Sequence, residues 1–234
     1  MIIAEQKGIE ELIGILEGHK DILVVGCRSC VAICLAGGEK EVGVLSEALR
    51  LHSDMRSKGW NISEVTLERA CEKEWAYELD QLVEGKDCVI SLACGVGAQV
   101  IQELFPDVRV VPGLNTSNMG APEEQGVYNE KCGGCGDCVL HLTGGICPIA
   151  RCAKSLLNGP CGGSQEGKCE IDPEVPCAWD QIYHSLEKLG RLELMDVPIP
   201  PKDWGPSRSG GPRKMVRSEA ILTDEQNRMK GGKR

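Results

Sequence analysis

Eleven of the fourteen cysteines in this 234-residue chain fall into two clusters, and no other feature narrows its folding choices as much. Cys27-x2-Cys30-x3-Cys34 stands near the start. A denser run begins Cys132-x2-Cys135-x2-Cys138 and continues through Cys147, Cys152, Cys161, Cys169 and Cys177. Thiols this close either pair as disulfides or grip a metal. Met1 to Lys20 shows no positively charged start followed by an apolar stretch and a cleavage site, so a cytoplasmic location is expected. There the thiol pools keep cysteines reduced, which favours metal binding over a disulfide scaffold.

The remaining composition excludes several classes. No apolar run reaches the roughly 18 residues that cross a bilayer, so no membrane span is expected. From Lys202 onward there are nine basic and four acidic residues, which leaves a charge of −14 on the preceding body out of the total of −9. Such a body is a poor nucleic-acid binder. One Phe, three Tyr and four Trp leave Val, Ile, Leu and Ala to build the core.

Apolar periodicity gives a coarse architecture. Ile9, Leu12, Ile13 and Leu16 have helical spacing, and Asp21 to Val25 is a short buried-strand run. Helices are expected at about 40–58, 72–83 and 98–104, and strands at 62–67, 87–93 and 108–111. Alternating helices and short apolar strands predict an α/β fold, a small Rossmann- or flavodoxin-like parallel sheet covered by helices. The Pro/Gly/Asn-rich stretch 112–125 reads as a connector. The expected division is therefore an α/β domain over 1–115, a cysteine-rich, loop-rich metal-binding domain over 116–195, and an extended basic Pro/Gly-rich tail over 196–234. That tail is too poor in apolar residues to build a core, so it is expected either to stay mobile or to fold against a partner, and its Trp204 and spaced basic residues suit an arm lying along an acidic surface of a partner subunit or of a copy of this chain.

Ligands of parallel sheets bind beyond the carboxyl ends of the strands, where Cys27, Cys71 and Cys94 all fall. Cys27, Cys30 and Cys34 from one loop, completed by Cys94 from a neighbouring strand end, are a common way to hold a 4Fe-4S cluster. Cys71 competes with Cys94 for the fourth place. Cys88, inside a strand, reads as a buried small hydrophobe. Gly95-Val96-Gly97 lacks the third glycine of a dinucleotide fingerprint, since Val100 stands there.

In the second region, Cys132-Gly-Gly-Cys135-Gly-Asp-Cys138 has the Cys-x2-Cys-x2-Cys run of bacterial ferredoxins, and Cys147-Pro148 reproduces their closing pair. Spacing leaves open whether Cys147 serves the Cys132 site. Cys152, Cys161, Cys169 and Cys177 suit a second cluster or a zinc ion. His141 lies among these ligands but reads as a solvent-facing or hydrogen-bonding imidazole. No nucleophile elbow or Walker loop is present, nor the Cys-x3-Cys-x2-Cys order of radical chemistry on S-adenosylmethionine. Clusters without a substrate site mark one subunit of a larger enzyme.

These residues carry a resemblance. Gly26-Cys27-x-x-Cys30-Val-Ala-x-Cys34-x-x-Gly37-Gly38-Glu39-Lys40-Glu41-Val42, Leu92-Ala93-Cys94-Gly95-Val96-Gly97, the Cys132 run, Gly145-Ile146-Cys147-Pro148 and Leu156-Leu157-Asn158-Gly159-Pro160-Cys161-Gly162-Gly163, closed by Cys177-Ala178-Trp179, resemble the small iron-sulfur subunit (MetV) family of two-subunit methylenetetrahydrofolate reductases. The related segment is also known as the methylenetetrahydrofolate reductase carboxy-terminal-like domain. The resemblance runs from about Asp21 to Gly190. It implies a flavin-bearing barrel subunit that reduces methylenetetrahydrofolate to methyltetrahydrofolate in the one-carbon metabolism of anaerobes, with this chain supplying electrons and further electron-donor subunits behind it. It implies cluster ligands at Cys27, Cys30, Cys34 and Cys94, and in the set from Cys132 to Cys177. The expected cofactors are one 4Fe-4S cluster in the first domain and one or two in the second, with zinc as an alternative at one site there. Two other readings differ in kind: a zinc-thiolate assembly module without redox role, and a zinc-activated methyl or thiol transferase acting on folate, which needs an open metal position and a folate pocket.

Overall fold

In the computed structural model, which describes residues 1–223 and Gln226, two sheets organise the first half of the chain. The larger is parallel, with strands β2 (Asp21–Cys27), β3 (Asn61–Leu67), β4 (Cys88–Ser91) and β5 (Arg109–Pro112) in the order β3-β2-β4-β5. The sequences explain which strands are central. Ile22 to Cys27 and all of Cys88-Val-Ile-Ser91 are buried, as continuous apolar runs must be when a strand has neighbours on both edges and cover on its faces. Edge strand β3 alternates polar and apolar residues instead.

α1 (Ile9–Ile15) leads into β2, and helices return the chain between the parallel strands: α2 (Cys30–Ile33), α3 (Glu39–Arg56), α4 (Lys73–Ala76) and α5 (Gly95–Leu104). α3 buries Val42, Leu45 and Leu49 at helical spacing against β2 and β3. Its start is fixed by Glu41, whose carboxylate accepts the Gly38 N–H at 3.0 Å. Its end is pinned by Ser53, a buried residue whose Oγ accepts the Trp60 N–H at 2.9 Å. Replacing Ser53 with alanine strands that donor and is expected to lower stability by about 1–3 kcal/mol, measured by urea denaturation. The helix expected over 72–83 is only one α-turn, α4, followed by a 3-10 turn at Tyr77–Leu79, because only Ala76 and Leu79 find buried seats.

The smaller sheet is antiparallel, in the order β1-β6-β7, built from β1 (Ile2–Gln6), β6 (Leu114–Glu124) and β7 (Val127–Cys132). The stretch expected to be a connector is therefore largely a strand. Hydrogen bonding along both edges overrides its Asn, Gly and Pro residues, and register shifts at Met119/Gly120 and Pro122/Glu124 take up the misfit.

Beyond Cys132 regular structure is sparse. α6 (Pro148–Arg151) is a single turn, and α7 (Ala178–Lys188) buries Trp179, Ile182 and Leu186 in a small core of its own. The tail through Arg213 folds back on its own chain, and residues 224–225 and 227–234 lie outside the described residues. No helix among the described residues is long and apolar enough to cross a membrane.

Candidate metal centre

The first thiol group forms at the carboxyl edge of the parallel sheet. β2 delivers Cys27, which is buried, and its N–H donates to the Gly37 carbonyl at 2.9 Å. The chain then turns through α2, which carries Cys30 at its first position and Cys34 just past its end. Gly37 seats this loop on the next strand connection, since a Cβ there would stand 1.8 Å from the Leu92 carbonyl oxygen. Two residues after Leu92, Cys94 occupies the N-cap of α5, and the following Gly95 N–H donates to Thr116 Oγ1 at 2.9 Å.

Cys71 joins them from β3. A Cβ on Gly97 would meet Ala93 Cβ at 2.7 Å and Ala70 Cβ at 3.1 Å, so the segment bearing Cys71 lies directly on the first turn of α5. Desolvation of its sulfur pushes the Cys71 thiol above its ordinary range, and the neighbouring Cys94 and Cys27 push it further in the same direction. Three strand ends thus bring Cys27, Cys71 and Cys94 to the same edge of the sheet, with Cys71 feeling the other two. Cys34 faces elsewhere: its buried sulfur lies 3.7 Å from the carbonyl oxygens of both Ala4 and Val31. Burial raises its pKa, and Cys30 adds to the rise. Cys88 sits within β4, fully buried, its thiol pushed up to about 11 by desolvation.

The second region sorts its eight thiols into two groups of four. Cys132 closes β7, and Cys132, Cys135, Cys138 and Cys147 together line one cavity of about 290 Å³ with Gly133, Gly134 and Gly136. Gly134 and Gly136 have φ of 63° and 84°, the left-handed turns that let the loop curl inward. The Gly134 N–H donates to the Cys132 sulfur at 3.3 Å. Thr143, almost wholly buried, ties the returning loop, its Oγ1 donating to Ile146 O at 2.6 Å, and this brings Cys147 back to the group.

Cys152, Cys161, Cys169 and Cys177 line a much smaller cavity of about 20 Å³ with Lys154, Glu170 and Trp179. Cys177 is the N-cap of α7, and its N–H donates to Gly167 O at 2.8 Å, while Cys169 N–H donates to Val175 O at 2.9 Å. The Trp179 indole N–H donates to Leu156 O at 3.0 Å, and Gly159 is the residue that fits against the ring. Lys154 pairs with Glu170 and holds its carboxyl below the usual range; the Cys161 sulfur lies 3.6 Å from the same carboxylate. His141 is exposed on a 3-10 turn, Leu140–Leu142.

A third cavity joins the two halves. Cys30 of the first group and Cys132 of the second both line it, with Met1, Ile2, Met119, Gly120 and Lys131. Sulfurs share cavities without being drawn fully together: among the described residues no group of three or more His, Cys, Asp or Glu side chains is gathered to hold a metal ion. The donor chemistry nevertheless fits thiophilic iron, with four-thiol sets, glycine-rich turns and a backbone N–H aimed at sulfur.

Comparison with curated proteins and with solved structures gave no match. Residues 111–205 match the family described as methylene-tetrahydrofolate reductase C terminal, so all eight thiols of the second region lie within a stretch similar to that family.

Proposed function

We propose that this chain is the electron-transfer subunit of a methylenetetrahydrofolate reductase complex, handing electrons to the flavin of a barrel-type partner that reduces methylenetetrahydrofolate to methyltetrahydrofolate. The observation that carries the reading is the sorting of eight thiols into two cavities of four, inside the stretch similar to the reductase family. In the first region Cys27, Cys30 and Cys94 would hold one 4Fe-4S cluster, with Cys34 or Cys71 as the fourth ligand. In the second region Cys132, Cys135, Cys138 and Cys147 would hold another. When bound, such clusters supply one-electron transfer at potentials set by charge, hydrogen bonds to sulfur and exposure.

The chain's own residues contribute position and insulation. β7 and the Thr143 clasp set the four thiols of the Cys132 group around one space. Gly134 offers an N–H to sulfur, which stabilises negative charge there. Cys30 and Cys132 border one open cavity, one thiol from each group, which supports reading the two groups as a relay. A cytoplasmic setting, with thiols kept reduced, suits all of these ligands.

Zinc at the Cys152, Cys161, Cys169 and Cys177 group is a second reading for that group alone. Its cavity is far smaller than its neighbour's, about 20 Å³ against about 290 Å³, which suits a single ion better than a four-iron cluster.

Anaerobic purification followed by iron, sulfide and zinc analysis, with EPR of the dithionite-reduced protein, tests both readings. Two clusters and a zinc site give about eight iron atoms and about one zinc per chain, and three clusters give about twelve iron atoms. Iron-poor, colourless protein that does not respond to dithionite would favour the zinc-thiolate module and end the redox reading.

A further inference from the structure

The segment Lys202–Arg213 lies across the Cys132–Cys138 loop as a strap and brings two cations to it. Lys202 has a side chain only 1 % exposed, an unusual condition for a lysine. Its Nζ donates to the Asp137 carbonyl and lies 3.3 Å from the Asp137 carboxylate, in the loop between Cys135 and Cys138. The Trp204 ring covers the ammonium at 5.6 Å from its centroid. Arg213 Nη1 donates to Gly134 O at 2.7 Å and to Pro206 O at 2.8 Å, clasping loop to strap. Between these points Pro206 packs on Gly136, where a Cβ would come within 2.6 Å of its ring, and buried Ser207 turns the strap by donating to Trp204 O at 2.5 Å.

We infer that Lys202 and Arg213 are positioning and tuning residues of the Cys132 group, which hold its loop closed and set its reduction potential. The inference rests on the redox reading proposed above. A one-electron reduction at that group adds one negative charge and no proton. A cation removed from water acts on that charge with little screening, so Lys202 favours the reduced form and raises the potential. Asp137 works in the same sense on removal of the lysine. Its half-exposed carboxylate is paired with Lys202, and without that partner its charge also opposes reduction.

The test is an EPR-monitored redox titration of the full chain, purified without oxygen, as wild type, K202M, K202R and R213Q, with iron measured in each. The expected result is that K202M keeps its iron and the signal of the Cys132 group moves to lower potential by about tenfold in the one-electron equilibrium constant, about 59 mV. K202R should stay close to wild type. An unmoved potential in K202M at full iron content overturns the inference and leaves the redox reading standing, whereas iron-free wild type overturns both. Should K202M lose its iron, R213Q decides, because among the described residues the hydrogen bonds of Arg213 go to backbone carbonyls of the loop and strap. A smaller shift in the same direction supports the inference, and an unchanged potential overturns it.

Discussion

Serine at Cys147 should remove the iron of one centre, about four atoms per chain, and leave the metal at the other groups in place. Serine at Cys161 should have the complementary effect, discharging only the smaller cavity, and the double variant should show the sum of the two losses. The expectation follows from the partition of the thiols: Cys147 lines the cavity of Cys132, Cys135 and Cys138, while Cys161 lines that of Cys152, Cys169 and Cys177. Sites that share no partner behave independently. Iron and zinc analysis with EPR separates the outcomes, and if both single variants erased the same signal, the eight thiols would belong to one coupled assembly instead. For the first group the comparison is between Cys34→Ser and Cys71→Ser. Cys34 turns its sulfur to the Ala4 and Val31 carbonyls, whereas Cys71 stands within reach of Cys94 and Cys27. The larger loss of iron is therefore expected from Cys71.

Alanine at Gly37 should damage fold and site together. The added methyl would lie 1.8 Å from the Leu92 carbonyl oxygen, a contact with backbone that no side-chain rotation relieves. The Gly37 loop and the Leu92–Cys94 connection must then separate, and the bond from Cys27 N–H to Gly37 O goes with them. Overpacking typically costs about 1–3 kcal/mol, and a clash with main chain belongs at or above the top of that range. Urea denaturation should show the loss, and the iron of the first group should fall with it. Gly43 makes a suitable control. It lies inside α3 with nothing within 4 Å of its would-be Cβ, so Gly43→Ala should stabilise the protein by about 0.5–1 kcal/mol. A Gly37→Ala protein as stable as wild type would show that the loop is not held as described.

What the sequence disclosed was the parallel sheet, and the reason is local. β2 and β4 are unbroken apolar runs, and α3 carries its buried residues at regular helical spacing, so each element announces itself without its neighbours. The antiparallel sheet stayed hidden because nothing local defines it. Ile2–Gln6 is a short run whose partner, Leu114–Glu124, carries Asn, Gly and Pro and looks like a turn. Only pairing on both edges makes that stretch a strand.

The thiols divide in the same way. Their spacing announced ligands, but the return of Cys147 to Cys132 depends on the hydroxyl of Thr143 and on positive φ at glycines, which spacing does not encode. The approach of Cys71 to Cys94 is likewise a matter of Gly97 packing on Ala70. The strap was legible only as a basic Pro/Gly-rich tail. Its charges suggested a partner's acidic surface, and Lys202 instead finds its counter-charge at Asp137 of the same chain.

The pairing of Ile2 with Met119 also sets a timetable for biosynthesis. A ribosome releases the four parallel strands, up to Pro112, before the middle strand of the other sheet exists, so the chain's opening residues must wait unpaired while the rest of the first half condenses. Closing so long a loop is slow. Any maturation machinery that loads the later cysteines would therefore meet a platform whose first strand has only just locked into place.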